Sequence, residues 1–195
     1  EKKIYFGHQS VGFNILDGIR DIMAENSLIT LKIVETQNLA DFDAPIFAHS
    51  RIGQNTNPQS KIDAFANVLE KGIGAKADLA FFKLCYVDFD PDTKIAEVFN
   101  HYKTTIARVK QAFPQMQLIH FTAPLTSQQT GPKAWIKKML GKPISGYADN
   151  IKRNQFNDLI RTEYAGRDAI FDLAKIESTF PDGQRSAFTK DGKIY

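Results

Sequence analysis

The 195-residue sequence contains one cysteine, little net charge and few residues that interrupt regular structure. A single cysteine, Cys85, excludes an intramolecular disulfide and a cysteine-based metal cluster. The formal net charge of +3 is too small to indicate a nucleic-acid partner. No apolar run reaches the roughly 18 residues of a membrane span. With 43% hydrophobic residues, 12 Gly and 8 Pro, the composition is that of an ordinary globular protein.

The two ends of the chain lack features of a complete protein. The first residue is Glu1 rather than Met, so we expect that an N-terminal segment was removed, and a signal peptide is one candidate. Localisation therefore stays open between a periplasmic or secreted protein and a cytoplasmic one. The last residues, 193–195, are typical of the start of a strand. We expect a single domain over residues 1–195 that is truncated at its C-terminus.

Strand and helix patterns alternate along the chain, which predicts an α/β fold. Five apolar runs are typical of strands: Ile4–Gly7, Leu28–Val34, Asp78–Asp88, Met116–Ala123 and Ala169–Ala174. The segment from Phe42 to Asn57 is predicted to be a long loop. The alternation predicts a three-layer α/β/α sandwich around a five-stranded parallel sheet, in the flavodoxin-like order 2-1-3-4-5.

The first strand runs directly into a serine, Ser10, that opens a helix. The sequence His8-Gln9-Ser10-Val11-Gly12 is similar to a nucleophile elbow, although His8 stands where an elbow has a small residue. In the predicted sheet the strand order reverses between strands one and three, and ligands bind beyond such a point. Ser10 is therefore a candidate nucleophile. The alternative is that Ser10 only caps the helix, a common role for serine.

Other polar residues lie near the same predicted edge of the sheet. His8 could orient substrate, and its side chain is expected to point away from Ser10 if the strand geometry continues. His49, in the predicted loop, either lines the crevice or holds that loop. Asp88 ends the third predicted strand, where it could accept a hydrogen bond from a loop amide or simply form a turn.

The remaining candidates are predicted to be structural. His101 lies within a predicted helix and His120 within a predicted strand. Cys85 is expected in the core, with no flanking cation to activate its thiol. No histidine pair has metal-ligand spacing, so we expect no metal.

One irregular insertion, residues 127–149, follows the fourth predicted strand. It contains a short basic amphipathic piece, residues 133–140, with the only tryptophan of the chain, Trp135. The piece could be a lid whose Trp135 stacks on a sugar or whose lysines meet an acidic polymer. The alternative is a surface helix with Trp135 and Ile136 packed against the protein.

Three segments of the chain resemble the first three sequence blocks of the SGNH, or GDSL-like, hydrolases. They are Ser10 after the first strand, the loop glycine Gly53, and Cys85-Tyr86-Val87-Asp88 after the third predicted strand. Cys85 and Val87 stand where the third block has Gly and Asn. The phrases His-Gln-Ser-Val-Gly and Lys-Leu-Cys-Tyr-Val-Asp are similar to an uncharacterised subgroup of that superfamily.

The resemblance implies an SGNH hydrolase-like fold and ester hydrolysis without a cofactor. Ser10 would be the nucleophile, and the N–H groups of Ser10 and Gly53 would bind the oxyanion. Since Val87 cannot donate, Asn55 is the candidate third donor, with His8 and Asp88 as further crevice residues.

The resemblance also implies a general base and a substrate class. The base of such enzymes belongs to an Asp-x-x-His pair, and no such pair lies between Ala174 and Tyr195. We therefore expect the pair beyond Tyr195. By analogy, the substrate is a small-molecule or carbohydrate ester, such as an O-acetylated carbohydrate.

Two other functions stay open. The altered third block and the missing Asp-x-x-His pair are compatible with a degenerate member that binds a glycan or another ligand without turnover. A nucleotide or flavin binder could use the first loop as a phosphate cradle. That function is disfavoured because the loop lacks Gly-x-Gly-x-x-Gly.

Overall fold

A sheet of six parallel strands forms the centre of the molecule. The computed structural model describes residues 2–127, 131–140, 146–190 and 192–194. The strands are β1 (Lys3–His8), β2 (Ile33–Glu35), β3 (Ile46–Arg51), β4 (Leu79–Phe82), β5 (Gln117–Phe121) and β6 (Ala169–Phe171). Their order is β2-β3-β1-β4-β5-β6, and every neighbouring pair is parallel. A separate antiparallel hairpin joins β7 (Thr189–Lys190) to β8 (Lys193–Ile194).

Helices pack on both faces of the sheet. The α-helices of the described residues are α1 (Val11–Glu25), α2 (Pro58–Val68), α3 (Gly74–Lys76), α4 (Ile95–Ala112), α5 (Pro132–Met139), α6 (Tyr147–Tyr164) and α7 (Leu173–Glu177). Residues of α1 pack on one face against Phe6, Phe47 and Phe81. The larger core lies on the other face, where buried residues of α2, α4 and α6 cluster with inward residues of the strands. The predicted three-layer α/β/α architecture is confirmed.

The predicted count of five strands is wrong. The segment predicted as a loop, from Phe42 to Asn57, contains β3, which pairs with β2 on one side and β1 on the other. Residues 46–50 are all buried, as expected of a strand that has neighbours on both sides and is covered on both faces. This strand was not predicted from the sequence because it contains the polar residues His49 and Ser50, which are typical of a loop. The predicted edge strand Leu28–Val34 is also shorter, because only Ile33–Glu35 pairs.

A row of phenylalanine rings crosses four strands on the α1 face. Phe6 lies 4.9 Å from Phe81, Phe81 lies 5.0 Å from Phe121, and Phe121 lies 4.7 Å from Phe171, measured between ring centroids. Such contacts contribute about 0.5–1.5 kcal/mol each beyond the burial of area. They hold β1, β4, β5 and β6 in a fixed register.

The chain reverses its direction of travel across the sheet between β1 and β4. After β1 it moves to β2 and β3 on one side, and after β4 it moves to β5 and β6 on the other. The predicted switch point is therefore present. The third predicted strand is shorter than expected, because β4 ends at Phe82 and a 3-10 turn covers Tyr86–Asp88. None of the helices in the described part of the chain has the length and apolar character that a bilayer crossing requires.

Candidate active site

Ser10 stands at the N-cap position of α1, but its side chain makes no capping hydrogen bond. Its backbone is already helical, with φ −44° and ψ −49°, and the residue is exposed. The first helical turn is closed by backbone bonds instead, from Gly12 N–H to Gln9 O at 2.8 Å and from Phe13 N–H to Ser10 O at 3.0 Å. The hydroxyl is therefore free to meet a ligand at the carboxyl end of β1.

His8 is completely buried beneath the start of α1. A Cβ added to Gly12 would lie 2.2 Å from the His8 ring, so only glycine fits one turn after the histidine. The ring also packs edge-on against Phe13. A nucleophile elbow has a small residue at the position of His8. Here the large ring fits at this position because Gly12, in the first turn of α1, has no side chain.

The His8 ring is part of a neutral histidine pair. Its Nδ1 lies 2.7 Å from the carbonyl oxygen of Gln9, which can only accept, so Nδ1 donates. Its Nε2 then accepts from Nδ1 of His49 at 3.0 Å. Burial lowers the pKa of both rings. His8 therefore has both ring nitrogens engaged, and His49 lies in β3 rather than in a loop.

Gln9 joins the loop of Ser10 to the loop of Gly53. Its side-chain Nε2 donates to the carbonyl oxygens of Ile52 and Gly53, both at 2.8 Å. In a trans peptide the N–H points opposite to the C=O. By binding the carbonyl of Ile52, Gln9 directs the N–H of Gly53 away from itself. This role could not be predicted from the sequence, because the two partners of Gln9 are more than 40 positions away along the chain.

Gly53 adopts a conformation that other residues rarely adopt. Its φ is +56°, and an added Cβ would lie 2.6 Å from backbone atoms of Lys61. Within the described part of the chain, neither its N–H nor that of Ser10 donates a hydrogen bond. Two backbone donors on neighbouring loops are thus available to a ligand.

Asp88 and Lys61 form a completely buried ion pair beneath these loops. Both carboxylate oxygens of Asp88 lie 2.7 Å from Lys61 Nζ. The same carboxylate accepts from the backbone N–H of Thr56 at 3.0 Å and of Cys85 at 2.6 Å. The predicted loop-amide contact is present, and Asp88 faces Lys61 rather than the crevice.

Lys61 also fixes the orientation of Asn55. Its Nζ donates to Oδ1 of Asn55 at 2.9 Å. Because an ammonium group has no acceptor, the amide oxygen must face Lys61 and the NH₂ group must face away. Asn55 is exposed, so this NH₂ group is available near the crevice.

A second buried lysine, Lys83, follows β4. Its N–H donates to Gly7 O at 3.3 Å, and its Nζ lies 3.8 Å from Sγ of Cys85. Burial lowers the pKa of the Lys83 amine. Cys85 is buried as expected, and the amine of Lys83 is the group that lies beside its sulfur. Lys83 was not singled out in the sequence because its neighbours along the chain are apolar.

The other histidines serve contacts away from this crevice. His101 pairs with Asp63 on the surface at 2.7 Å. His120 is buried, with Nδ1 2.7 Å from the Tyr102 hydroxyl and Nε2 3.4 Å from Asp168. The described residues contain no group of three side chains suited to a metal ion.

Part of the insertion, residues 128–130 and 141–145, lies outside the described residues. The described part of the insertion contains α5, in which Trp135 and Ile136 face solvent with 63% and 50% of their surfaces exposed. The alternative in which these two side chains pack against the protein is therefore wrong.

The arrangement combines a free hydroxyl, two free backbone N–H groups and an oriented amide at one sheet edge. Such donors can stabilise negative charge on a carbonyl oxygen attacked by the hydroxyl. The predicted residues Ser10, Gly53 and Asn55 all lie on loops of this edge, while His8 and Asp88 support those loops from below.

No protein-family model matches the sequence, and no curated protein matches it significantly. Among solved structures, one similar chain is a protein from Streptococcus pneumonia assigned provisionally as a platelet activating factor. It is 16% identical at a TM-score of 0.48, over 98% of this chain and 75% of that one.

Two esterases are also similar in structure. A peptidoglycan O-acetylesterase is 12% identical at a TM-score of 0.43, over 73% of this chain and 41% of that one. An acetyl xylan esterase from the rumen bacterium Butyrivibrio proteoclasticus is 10% identical at 0.35, over 88% and 55%. Because all three TM-scores are below 0.5, the fold assignment rests on the strand order of this chain itself.

Proposed function

We propose that the protein is a serine ester hydrolase that acts on carboxylic esters with Ser10 as its nucleophile. The observation that carries the proposal is the free hydroxyl of Ser10 beside two unpaired backbone N–H groups, at the switch point of the sheet. A serine that only capped α1 would use its hydroxyl on the helix.

In this reaction the Ser10 oxygen bonds to the acyl carbon while its proton passes to a general base. The carbonyl oxygen becomes negative and accepts from the N–H groups of Ser10 and Gly53. The ester C–O bond then breaks, and the alcohol leaves with the proton from the base. Water attacks the acyl-enzyme in the same way and releases the carboxylic acid.

Asn55 supplies the third oxyanion donor in this proposal. Its free NH₂ group replaces the side chain that Val87 cannot offer. Losing one such donor costs about 10²–10³ in kcat. We therefore expect Asn55→Ala to lower kcat by about 10²-fold with little effect on stability, since Asn55 is exposed.

The general base comes from outside the described residues. No described side chain hydrogen-bonds to the Ser10 hydroxyl, and His8 has both ring nitrogens engaged. We propose the histidine of an Asp-x-x-His pair beyond Tyr195. The test therefore uses the full-length gene product.

The test is hydrolysis of p-nitrophenyl acetate by the full-length protein and its Ser10→Ala variant. The expected result is a loss of ~10³-fold or more in the variant. Ser27→Ala, another exposed serine, is the matched control and should keep full activity. A fluorophosphonate probe should label the Ser10 peptide, detected by mass spectrometry.

Two results would contradict the proposal. Activity retained in Ser10→Ala would exclude Ser10 as the nucleophile. Absence of both turnover and labelling, over a range of acyl chain lengths, would favour the alternative of a catalytically degenerate protein that binds a glycan or another ligand.

A further inference from the structure

A second cavity lies at the same edge of the sheet, two strands away from Ser10. Its volume is about 450 Å³, within the ~300–1,000 Å³ of small-molecule sites. Its walls come from the segment after β5, the first turns of α6 and the segment 177–188.

One side chain in this wall has an unmet hydrogen bond. Asn154 of α6 lines the cavity and is only 9% exposed. Its Nδ2 is the one buried side-chain nitrogen or oxygen without a partner in the part of the chain that the structure describes. A buried donor without an acceptor destabilises the folded protein. The wall of the cavity thus contains a side-chain donor that has no acceptor in the described part of the chain.

The rest of the lining favours a neutral ligand with many hydroxyl groups. Glu177 and Arg185 both line the cavity, so a charged ligand of either sign would be repelled by one of these two residues. Arg185 donates to the hydroxyl of Ser178 at 3.0 Å, and Leu125 N–H donates to Glu177 at 3.2 Å. Donors, acceptors and hydroxyls thus surround the space.

An apolar surface completes the lining. Phe180 contributes a ring that is 57% exposed. An exposed aromatic ring beside groups that both donate and accept matches a pyranose, which has an apolar face of C–H groups and a rim of hydroxyls.

The cavity and the crevice of Ser10 lie at the carboxyl ends of strands of the same sheet. The wall of the cavity includes Leu125, just after β5, and β5 is separated from β1 only by β4. At the usual strand spacing, the axes of β1 and β5 lie about 10 Å apart. Glu177 also interacts electrostatically with Lys83, whose N–H is bonded to β1 at Gly7.

We propose that this cavity binds a neutral pyranose ring of a carbohydrate and that Asn154 donates to one of its hydroxyl oxygens. The assignment of this sugar as the one that carries the ester rests on the proposed function. The binding of the sugar itself does not require turnover.

Binding is tested on the full-length protein carrying Ser10→Ala, by calorimetric titration with xylobiose, cellobiose and diacetylchitobiose. At least one disaccharide should bind, and Asn154→Leu and Phe180→Ala should each raise its Kd about tenfold. Ile176→Ala is the matched control, because Ile176 is also 57% exposed and lies on α7 outside the cavity lining. It should change Kd by less than about twofold.

Asn154→Leu has a second readout that a purely structural role would not produce. Removing a buried unpaired donor should raise the Tm of the free protein while it weakens sugar binding. The proposal is overturned if none of the three sugars binds, or if Asn154→Leu leaves Kd unchanged. Binding without esterase turnover would reject the proposed function and keep the sugar site.

In an active enzyme, steady-state kinetics distinguish the role of Ser10 as nucleophile from the role of the cavity as a sugar site. Asn154→Leu should raise KM for acetylated xylobiose or acetylated chitobiose by a much larger factor than KM for p-nitrophenyl acetate, which has no sugar to place in the cavity. An equal change in KM on both kinds of substrate would contradict the placement of the sugar in this cavity.

Discussion

The buried pair of Lys61 and Asp88 predicts an unequal response to removing either partner. Asp88→Ala leaves a buried ammonium group and also two backbone N–H groups, those of Thr56 and Cys85, without their acceptor. An orphaned buried charge costs about 3–5 kcal/mol, and each N–H about 1 kcal/mol more. Lys61→Met leaves a carboxylate that keeps both amide donors. We expect free energies of unfolding to fall by about 5 and about 3 kcal/mol respectively.

The measurement is urea unfolding of the two single variants and the double variant at pH 7. The double variant should lose at least about 1 kcal/mol less than the sum of the singles, because no charge is left unpaired. The matched control is the surface pair of Lys103 and Glu163, whose charged atoms lie 2.8 Å apart, compared with 2.7 Å in the buried pair. Lys103→Met should cost less than about 1 kcal/mol.

The reasoning would be refuted if Lys61→Met cost as much as Asp88→Ala, or if the two changes were additive. Either result would mean that the carboxylate does not organise the loops of Asn55 and Cys85. Loss of activity in Lys61→Met beyond its loss of stability would further support the role of Lys61 in orienting Asn55.

Three other predictions concern single residues. Gly53→Ala places a Cβ 2.6 Å from the Lys61 backbone, so we expect poor folding or loss of p-nitrophenyl acetate hydrolysis; normal yield and activity would contradict the loop geometry. Gln9→Leu should lower kcat more than it raises KM, because the Gly53 N–H loses its orientation; a change in KM alone would argue against this role. Burial lowers the pKa of His120 from 6.5 to about 4, so its contribution to stability is complete above pH 6.5 and is lost as pH falls toward 4. The loss is at most about 3 kcal/mol, and urea unfolding at pH 7 and 4.5 should depend less on pH in His120→Phe; an unchanged dependence would contradict it.

Local patterns in the sequence predicted much of the fold. Apolar runs and helical periodicity depend on residues close together in the chain, and they predicted the parallel α/β/α sandwich and the place of Ser10. They failed for β3, whose His49 and Ser50 are typical of a loop. Its strand conformation depends on β1 and β2, which pair with it from distant parts of the chain.

The position of a serine directly after the first strand could be predicted from the sequence, because strand and helix patterns depend on residues that are close together in the chain. The surroundings of that serine depend on contacts between residues that are far apart in the chain. Gln9 meets Gly53 across 44 positions, and Lys61 meets Asp88 across 27. Such contacts depend on how loops fold back over the sheet, and no residue spacing reveals them. The unpaired amide of Asn154 is likewise visible only once the cavity around it has formed.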